Sequence, residues 1–125
     1  MIKRILIVDD DPGILEVIDL ALTYSGFQVR PLLASENIFK MVNNFEPDLI
    51  ILDYILRGID GGEVCRQLKN ESSTNHIPII MLSAYSGLDE SIDNYGYNAF
   101  ISKPFDLNDL INKINELIQS LPTIN

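Results

Sequence analysis

Short runs of consecutive apolar residues alternate along the chain with longer segments whose apolar residues recur at helical spacing. The runs are Ile5-Leu6-Ile7-Val8, Leu49-Ile50-Ile51-Leu52 and Ile79-Ile80-Met81-Leu82. They lack polar alternation, so each predicts a strand buried on both faces, as in a parallel sheet covered by helices. Two further strands are expected at 27–33 and 99–103. Strands and helices therefore alternate from one end of the chain to the other.

The segments between and after these strands predict five helices. Asp11-Pro12 suits the first helix start, because Asp is a favoured N-cap residue and Pro fits the first helical position. Asp60 and Glu63 resemble a capping box for the third helix, and a loop is expected at 54–59 before it. The fourth helix, at 87–95, is weakly amphipathic. The faces expected to be buried comprise Ile14, Val17, Ile18, Ala21 and Leu22 in the first helix, Ile38, Phe39, Val42 and Phe45 in the second, and Leu107, Leu110, Ile111, Ile114, Leu117, Ile118 and Leu121 in the last.

Pro31 favours one strand order over the others. A proline cannot donate to a strand ladder, so the second strand is expected at an edge of the sheet. Together with right-handed crossovers, this predicts an α/β, flavodoxin-like (βα)5 fold: a doubly wound, five-stranded parallel sheet of order 2-1-3-4-5. In that order the first and third strands are neighbours. At this length, residues 1–125 are expected to form a single domain.

Polar residues follow the predicted strands where each one ends. Asp9 and Asp10 end the first strand, Asp53 the third, Ser83 the fourth and Lys103 the fifth. Open parallel sheets bind ligands at this carboxyl edge, so these side chains are expected to converge. Neighbouring carboxylates repel unless a cation binds them, and oxygen ligands without nearby His or Cys favour Mg²⁺ or Mn²⁺ over zinc. An ammonium and a hydroxyl are the groups that contact phosphoryl oxygens.

Charge and cysteine content narrow the classes of partner. The net charge of −9, from 18 acidic and 9 basic residues, argues against nucleic-acid binding by this domain. Cys65 is the single cysteine, so it cannot form an intramolecular disulfide, and we expect it to be a small buried hydrophobe. The sequence shows no signal peptide and no apolar run long enough to span a membrane. We therefore expect a cytoplasmic protein without a membrane partner.

Five short motifs, in order along essentially the whole chain, resemble the receiver domain of two-component response regulators. Asp9-Asp10 resembles the acidic pair of that family. Leu52-Asp53, with Asp60-Gly61 seven residues later, resembles its phosphoacceptor motif. Ser83-Ala84, thirty residues past Asp53, resembles the hydroxyl position, and Lys103-Pro104-Phe105 resembles the lysine motif. Each motif is weak alone, but the series at family spacing is specific.

The resemblance implies a signalling domain that is not an enzyme in its own right. Asp53 would be the nucleophile that takes a phosphoryl group from a phosphohistidine on a sensor histidine kinase or a phosphotransfer protein. Asp10, Asp53 and the backbone carbonyl of Ile55 would ligate Mg²⁺, and Asp9 would act through a metal-bound water. The output would be a downstream protein target or a fused output domain, with a homodimer that forms on phosphorylation as a further expectation.

The resemblance also assigns the remaining polar and switch positions. Lys103 and Ser83 would contact the phosphoryl oxygens, and Ser83 would move together with the aromatic Phe100 as a conformational switch. Ile55 and Tyr85 occupy the positions that tune phosphoryl lifetime, where apolar side chains are expected to slow dephosphorylation.

The chain departs from the family after the phosphoacceptor. The family commonly has Met-Pro at the third and fourth positions after that aspartate, and this chain has Leu56-Arg57. Arg57 thereby adds a positive charge near the expected kinase-docking surface.

Two other classes of function compete with this interpretation. One is a pseudo-receiver, an interaction module that works without phosphorylation. The other is a haloacid-dehalogenase-like phosphatase, because 7–11 also fits a strand followed by Asp-x-Asp with Asp9 as nucleophile. Against the phosphatase, Gly13 stands where that family expects Thr or Val, and no second acidic pair follows Lys103. A flavodoxin-type FMN site is disfavoured because the three acids at 9–11 would repel a phosphate.

Overall fold

In the computed structural model, the apolar runs form strands and the amphipathic segments form helices. The structure describes residues 1–34, 36–84 and 95–119. In chain order the elements are β1 (Arg4–Asp9), α1 (Pro12–Tyr24), β2 (Gln28–Leu33), α2 (Ile38–Phe45), β3 (Leu49–Asp53), β4 (Ile55–Leu56), β5 (Ile59–Asp60), α3 (Gly61–Asn70), β6 (Ile79–Ser83), β7 (Ala99–Ser102) and α4 (Leu107–Gln119).

Five of the strands form one parallel sheet of order β2-β1-β3-β6-β7. This is the predicted 2-1-3-4-5 order, with β6 and β7 as its fourth and fifth strands, and it confirms the flavodoxin-like α/β fold. The strand that contains Pro31 lies at the edge, as its missing N–H requires. In the centre, β1 pairs with β3 from Ile5 opposite Leu49 to Val8 opposite Leu52. Their carboxyl ends are therefore side by side.

The sheet is buried on both faces by two separate hydrophobic clusters. Alternate side chains of β1 point to opposite faces: Leu6 and Val8 pack with residues of α2 and α3, and Ile5 and Ile7 with residues of α1 and α4. All residues from Leu49 to Leu52 are completely buried, as the unbroken apolar run predicts. Burying one such side chain fully stabilises the fold by about 1.5–3 kcal/mol. The two clusters thus hold the carboxyl edge of the sheet in place.

Cys65 lies in the cluster formed by α2, α3 and the sheet, where it is completely buried. Burial raises the pKa of its thiol to about 11, against a smaller opposing effect of the Lys69 ammonium. The thiol is therefore protonated at neutral pH and behaves as the small hydrophobe that was expected.

Aspartate side chains cap three of the helices. Asp11 accepts a hydrogen bond from Gly13 N–H at 2.9 Å and begins α1. Asp60 accepts from the N–H groups of the second and third residues of α3. At α4, Asn108 N–H donates to Asp106 at 2.7 Å. These caps satisfy N–H groups that have no partner inside the helix.

Some local expectations are wrong, and others fall outside the described residues. The expected loop at 54–59 contains an antiparallel hairpin, β4 with β5. Val17 and Phe39 are 52% and 37% exposed, because each lies at the solvent side of a helix that packs on the sheet through a narrower face. The fourth predicted helix, at 87–95, lies outside the described residues except for Tyr95, as does Leu121.

Across 1–34, 36–84 and 95–119, the structure contains no helix with the length and apolar character needed to cross a membrane.

Candidate functional site

Three carboxylates meet at the carboxyl edge of β1 and β3. Asp9 and Asp53 are the last residues of these neighbouring strands, and Asp10 follows Asp9 directly. One oxygen from each carboxylate lies within 4.8 Å of the other two. Asp9 and Asp53 are buried and Asp10 is partly exposed. The strand pairing brings these residues together, as the sequence predicted.

The Lys103 ammonium joins two of the three acids. Its Nζ donates to Asp53 Oδ2 at 3.0 Å and to Asp9 Oδ2 at 3.3 Å. The backbone fixes this position, because Lys103 N–H donates to the carbonyl of Ser83 at 2.8 Å and so holds the end of β7 beside β6. The lysine therefore lies across the acidic edge and is held there at both its backbone and its side chain.

Burial and neighbouring charges shift the pKa values of Asp9 and Lys103 in the site. Burial raises the pKa of Asp9, and the Asp53 carboxylate adds to that effect, while the N–H of Asp11 and the Lys103 ammonium oppose it. Burial lowers the pKa of Lys103, but its contacts with Asp53 and Asp9 outweigh that effect and raise the pKa overall. Within the described residues, the Lys103 ammonium alone bridges the two buried carboxylates, and a third carboxylate stands beside them.

The donor set of the site fits a hard divalent cation. Its ligand atoms are carboxylate oxygens, and the cluster contains neither His nor Cys among the described residues. Mg²⁺ and Mn²⁺ prefer such ligands, whereas zinc favours imidazole and thiolate. A cation here would also offset the burial and the repulsion by Asp53 that together raise the pKa of Asp9.

The beginning of α3 packs against the backbone that carries Asp53. Gly61 N–H donates to the carbonyl of Tyr54 at 2.9 Å. A Cβ at Gly61 would lie 2.1 Å from the backbone oxygen of Asp53 and 2.7 Å from that of Tyr54. Only glycine allows this close approach, which explains physically why Gly61 follows Asp60 at the start of this helix.

The β4–β5 hairpin begins beside Asp53 and carries a second basic residue. Ile55 N–H donates weakly to Asp53 Oδ1 at 3.4 Å. Arg57 lies in the turn of the hairpin, and its Nε is 3.7 Å from Asp10 Oδ2. The sequence predicted a positive charge at Arg57 but did not place it in this site, because the hairpin was expected to be a loop.

Of the remaining predicted residues, Ser83 lies on β6, Ile55 on β4 and Phe100 on β7. Ser83 is buried at the end of β6, one residue past Leu82, whose carbonyl accepts from Tyr54 N–H at 2.8 Å. Ile55 adjoins Asp53 through the hairpin. Phe100 lies further back on β7, half-buried, with its ring 6.1 Å from that of Tyr97. Tyr85 lies outside the described residues.

Comparison with protein-family models matches residues 5–115 to the response regulator receiver domain. The chain therefore belongs to the receiver-domain family of two-component signalling. The match disfavours the phosphatase alternative.

Individual relatives agree with this assignment. The chain is 35% identical over 119 residues to the phosphate regulon transcriptional regulatory protein PhoB of Pseudomonas aeruginosa, covering 94% of this chain and 52% of PhoB. It thus spans about half the length of this curated relative. Among solved structures, a CheY-like response regulator receiver domain protein from Methanospirillum hungatei is 28% identical, with a TM-score of 0.84 and 97% of both chains covered. Response regulator TrrA of Thermotoga maritima, solved in complex with Mg²⁺ and BeF, is 30% identical, with a TM-score of 0.83, 93% of this chain covered and 99% of TrrA.

Proposed function

We propose that this receiver domain accepts a phosphoryl group on Asp53 from the phosphohistidine of a sensor histidine kinase or a phosphotransfer protein. The proposal rests on the contacts of the Lys103 ammonium, which lies 3.0 Å from Asp53 and 3.3 Å from Asp9. Asp10 completes the acidic cluster. A family match alone would also fit a pseudo-receiver, but here the acids and the lysine lie in contact.

In the proposed transfer, an Asp53 carboxylate oxygen forms a bond to phosphorus as the phosphorus–nitrogen bond of the donor breaks. The electron pair of that bond leaves with the imidazole, which takes up a proton. Lys103 balances negative charge on Asp53 before transfer and on the phosphoryl oxygens afterwards. Ser83, at the end of the adjacent strand, supplies a hydroxyl to one of these oxygens. The protein contributes position and charge, so we propose no separate enzyme activity.

Asp10, Asp53 and the backbone carbonyl of Ile55 would hold the divalent cation directly, with Asp9 acting through a water. When bound, Mg²⁺ or Mn²⁺ would neutralise charge on the carboxylates and the phosphoryl oxygens. The support in this chain is the oxygen-only cluster and the negative charge that Lys103 leaves unbalanced.

We further propose that phosphorylation is read out through Ser83 and Phe100. Ser83 is buried beside the site, and Phe100 lies on β7, an edge strand of the sheet. Movement of both would alter the surface around β7 and α4, which a protein target, a fused output domain or a second phosphorylated copy would contact. We infer that residues 1–125 form one receiver domain that works in the cytoplasm without binding nucleic acid itself.

Intact-mass spectrometry after incubation with acetyl phosphate tests the proposed function. We expect the wild type to gain one phosphoryl group with MgCl2 and none with excess EDTA, because the unbalanced acids oppose an anionic donor. Asp53→Asn should gain none in either buffer. A wild type that stays unmodified with both acetyl phosphate and a phosphorylated histidine kinase would indicate a pseudo-receiver. Modification that survives in Asp53→Asn would contradict the assigned acceptor.

Ile55 provides a separate prediction about phosphoryl lifetime. Its side chain is 58% exposed, and its backbone lies against Asp53, so it is placed to screen the acyl phosphate from water. Ile55→Asn should shorten the half-life of the phosphorylated protein about fivefold, which corresponds to about 1 kcal/mol on the barrier. Phosphoryl decay followed by intact mass would measure this. Leu33→Asn, at an exposed position on β2, serves as the control, and equal decay of Ile55→Asn and wild type would remove the assignment.

A further inference from the structure

The third carboxylate of the site has a basic partner of its own. Lys103 Nζ contacts Asp9 and Asp53, while Asp10 Oδ2 lies 3.7 Å from Arg57 Nε. Across the described ranges, Lys103 and Arg57 are the two basic side chains that form ion pairs with these acids. The two basic side chains divide the site: Lys103 pairs with the two buried carboxylates, and Arg57 pairs with the accessible one.

The two basic side chains differ in how firmly they are held. The Lys103 side chain is 19% exposed and bridges two carboxylates. The Arg57 side chain is 91% exposed and makes one long contact with Asp10, whose side chain is 27% exposed. An exposed single ion pair of this kind is weak and sensitive to salt. Arg57 can therefore neutralise the Asp10 carboxylate, and a more strongly bound cation can displace Arg57 from it.

The β4–β5 hairpin determines that Arg57 lies beside Asp10. Leu56 is buried in the hydrophobic cluster on the α3 side of the sheet, and it pairs with Ile59 across the hairpin. These contacts leave Arg57-Gly58 as the two-residue turn, where Gly58 takes a φ of +72°. Such a turn requires a residue that tolerates positive φ. The buried Leu56 side chain thus holds the backbone of the exposed Arg57 beside the acidic cluster.

We propose that Arg57 is an internal counter-ion: it pairs with the Asp10 carboxylate in the metal-free protein and competes with the divalent cation for that carboxylate. This inference rests on the proposed function, because it takes Asp10 as a metal ligand. A guanidinium keeps its charge at every accessible pH, so the competition depends on metal concentration and ionic strength. Arg57 is a positioning residue in this scheme: it limits metal affinity through Asp10 and does not itself contact the reacting atoms.

Titration with MgCl2 alone, by calorimetry and without a phosphoryl donor, tests the competition. At low ionic strength we expect Arg57→Gln to bind Mg²⁺ about threefold more tightly than the wild type, which corresponds to the loss of one exposed ion pair. The difference should shrink in high salt because the pair is screened. Arg66→Gln is the matched control: it removes the same charge from the adjacent helix α3, where Arg66 pairs with Glu63 at 2.9 Å.

The titration has outcomes that overturn the inference. Equal or weaker Mg²⁺ binding by Arg57→Gln would do so, as would an equal gain in Arg66→Gln, which would reduce the effect to overall charge. If the wild type binds no Mg²⁺, both this inference and the proposed metal site fail. If the wild type binds Mg²⁺ and is phosphorylated while Arg57→Gln binds identically, the competition alone fails.

A spectroscopic readout follows the displacement itself. In ¹⁵N-labelled protein, the Arg57 Nε–Hε resonance should move on addition of MgCl2, and Asp10→Asn should move it in the same direction without metal. The Arg66 resonance should respond to neither change. An Arg57 resonance that is insensitive to both Mg²⁺ and Asp10→Asn would show that the contact with Asp10 is not maintained in solution.

Discussion

Lys103→Met is expected to destabilise the metal-free protein by about 3 kcal/mol at neutral pH. The substitution keeps most of the apolar stem but removes the ammonium between Asp53 and Asp9. Breaking a buried ion pair from one side costs about 3–5 kcal/mol because the partner charge stays buried. We expect a value at the lower end of this range because the Lys103 side chain is still 19% exposed to solvent. Urea denaturation in EDTA, read by far-ultraviolet circular dichroism, measures the change.

The deficit of this variant should depend on pH with a defined sign. The pKa of Asp9 is raised in the fold by burial, so the folded state takes up a proton there at higher pH than the unfolded chain does. Protonation of Asp9 therefore stabilises the folded state at low pH. This stabilisation is lost as the pH rises through the folded-state pKa of Asp9. The pKa of Lys103 is also raised, so its contribution in the wild type is lost only at strongly alkaline pH. The difference in the free energy of unfolding between the wild type and Lys103→Met should be largest near neutral pH and should narrow towards acidic pH.

Lys113→Met supplies the control for charge and side-chain length. Lys113 pairs with Glu116 at 3.2 Å on the exposed face of α4, where such pairs contribute about 0.5 kcal/mol or less. An equal loss of stability in the two variants, or a deficit for Lys103→Met that grows towards acidic pH, would contradict the electrostatic description of the site.

Gly61→Ala is expected to lower the free energy of unfolding by about 3 kcal/mol and to reduce phosphorylation by acetyl phosphate. The new Cβ would lie 2.1 Å from the backbone oxygen of Asp53, far inside any van der Waals contact, so the backbone of β3 or α3 must move. Overpacking of this kind typically costs about 1–3 kcal/mol, and more where backbone must shift. Because the displaced atom belongs to Asp53, the position of its carboxylate should change as well.

Gly13→Ala is the matched control for this substitution. Gly13 also lies in the first turn of a helix, and its added Cβ would meet only Asp11 Oδ1 at 3.2 Å. Alanine is the better helix former by about 1 kcal/mol, so Gly13→Ala should be close to neutral or stabilising. Stability and phosphorylation of Gly61→Ala that match those of Gly13→Ala would show that α3 does not pack against Asp53 as described.

The sequence predicts the sheet and most of the site because both follow from local patterns. Runs such as Leu49–Leu52 have no polar face and can form strands only where both sides are covered. Pro31 removes one ladder donor and so places its strand at the edge. Once the strand order follows, Asp9 and Asp53 become neighbours by parallel pairing, and Lys103, directly after β7, lies beside them.

The parts that the sequence did not predict depend on contacts between distant segments. The hairpin of Ile55–Leu56 with Ile59–Asp60 is too short to show alternation, so only its pairing reveals it. The position of Arg57 beside Asp10 follows from that hairpin. The need for glycine at Gly61 comes from the backbone of Asp53, eight residues away in the chain, and a Gly-Gly pair at a helix start is the one local sign of it.

We propose above that Asp53 carries the phosphoryl group. Borohydride reduction of the phosphorylated protein converts an aspartyl phosphate to homoserine, and peptide mass spectrometry then locates that residue. We predict homoserine at position 53 in protein treated with acetyl phosphate and MgCl2, and none in protein treated with EDTA. Homoserine at Asp9 or Asp10, with Asp53 unmodified, would contradict the account.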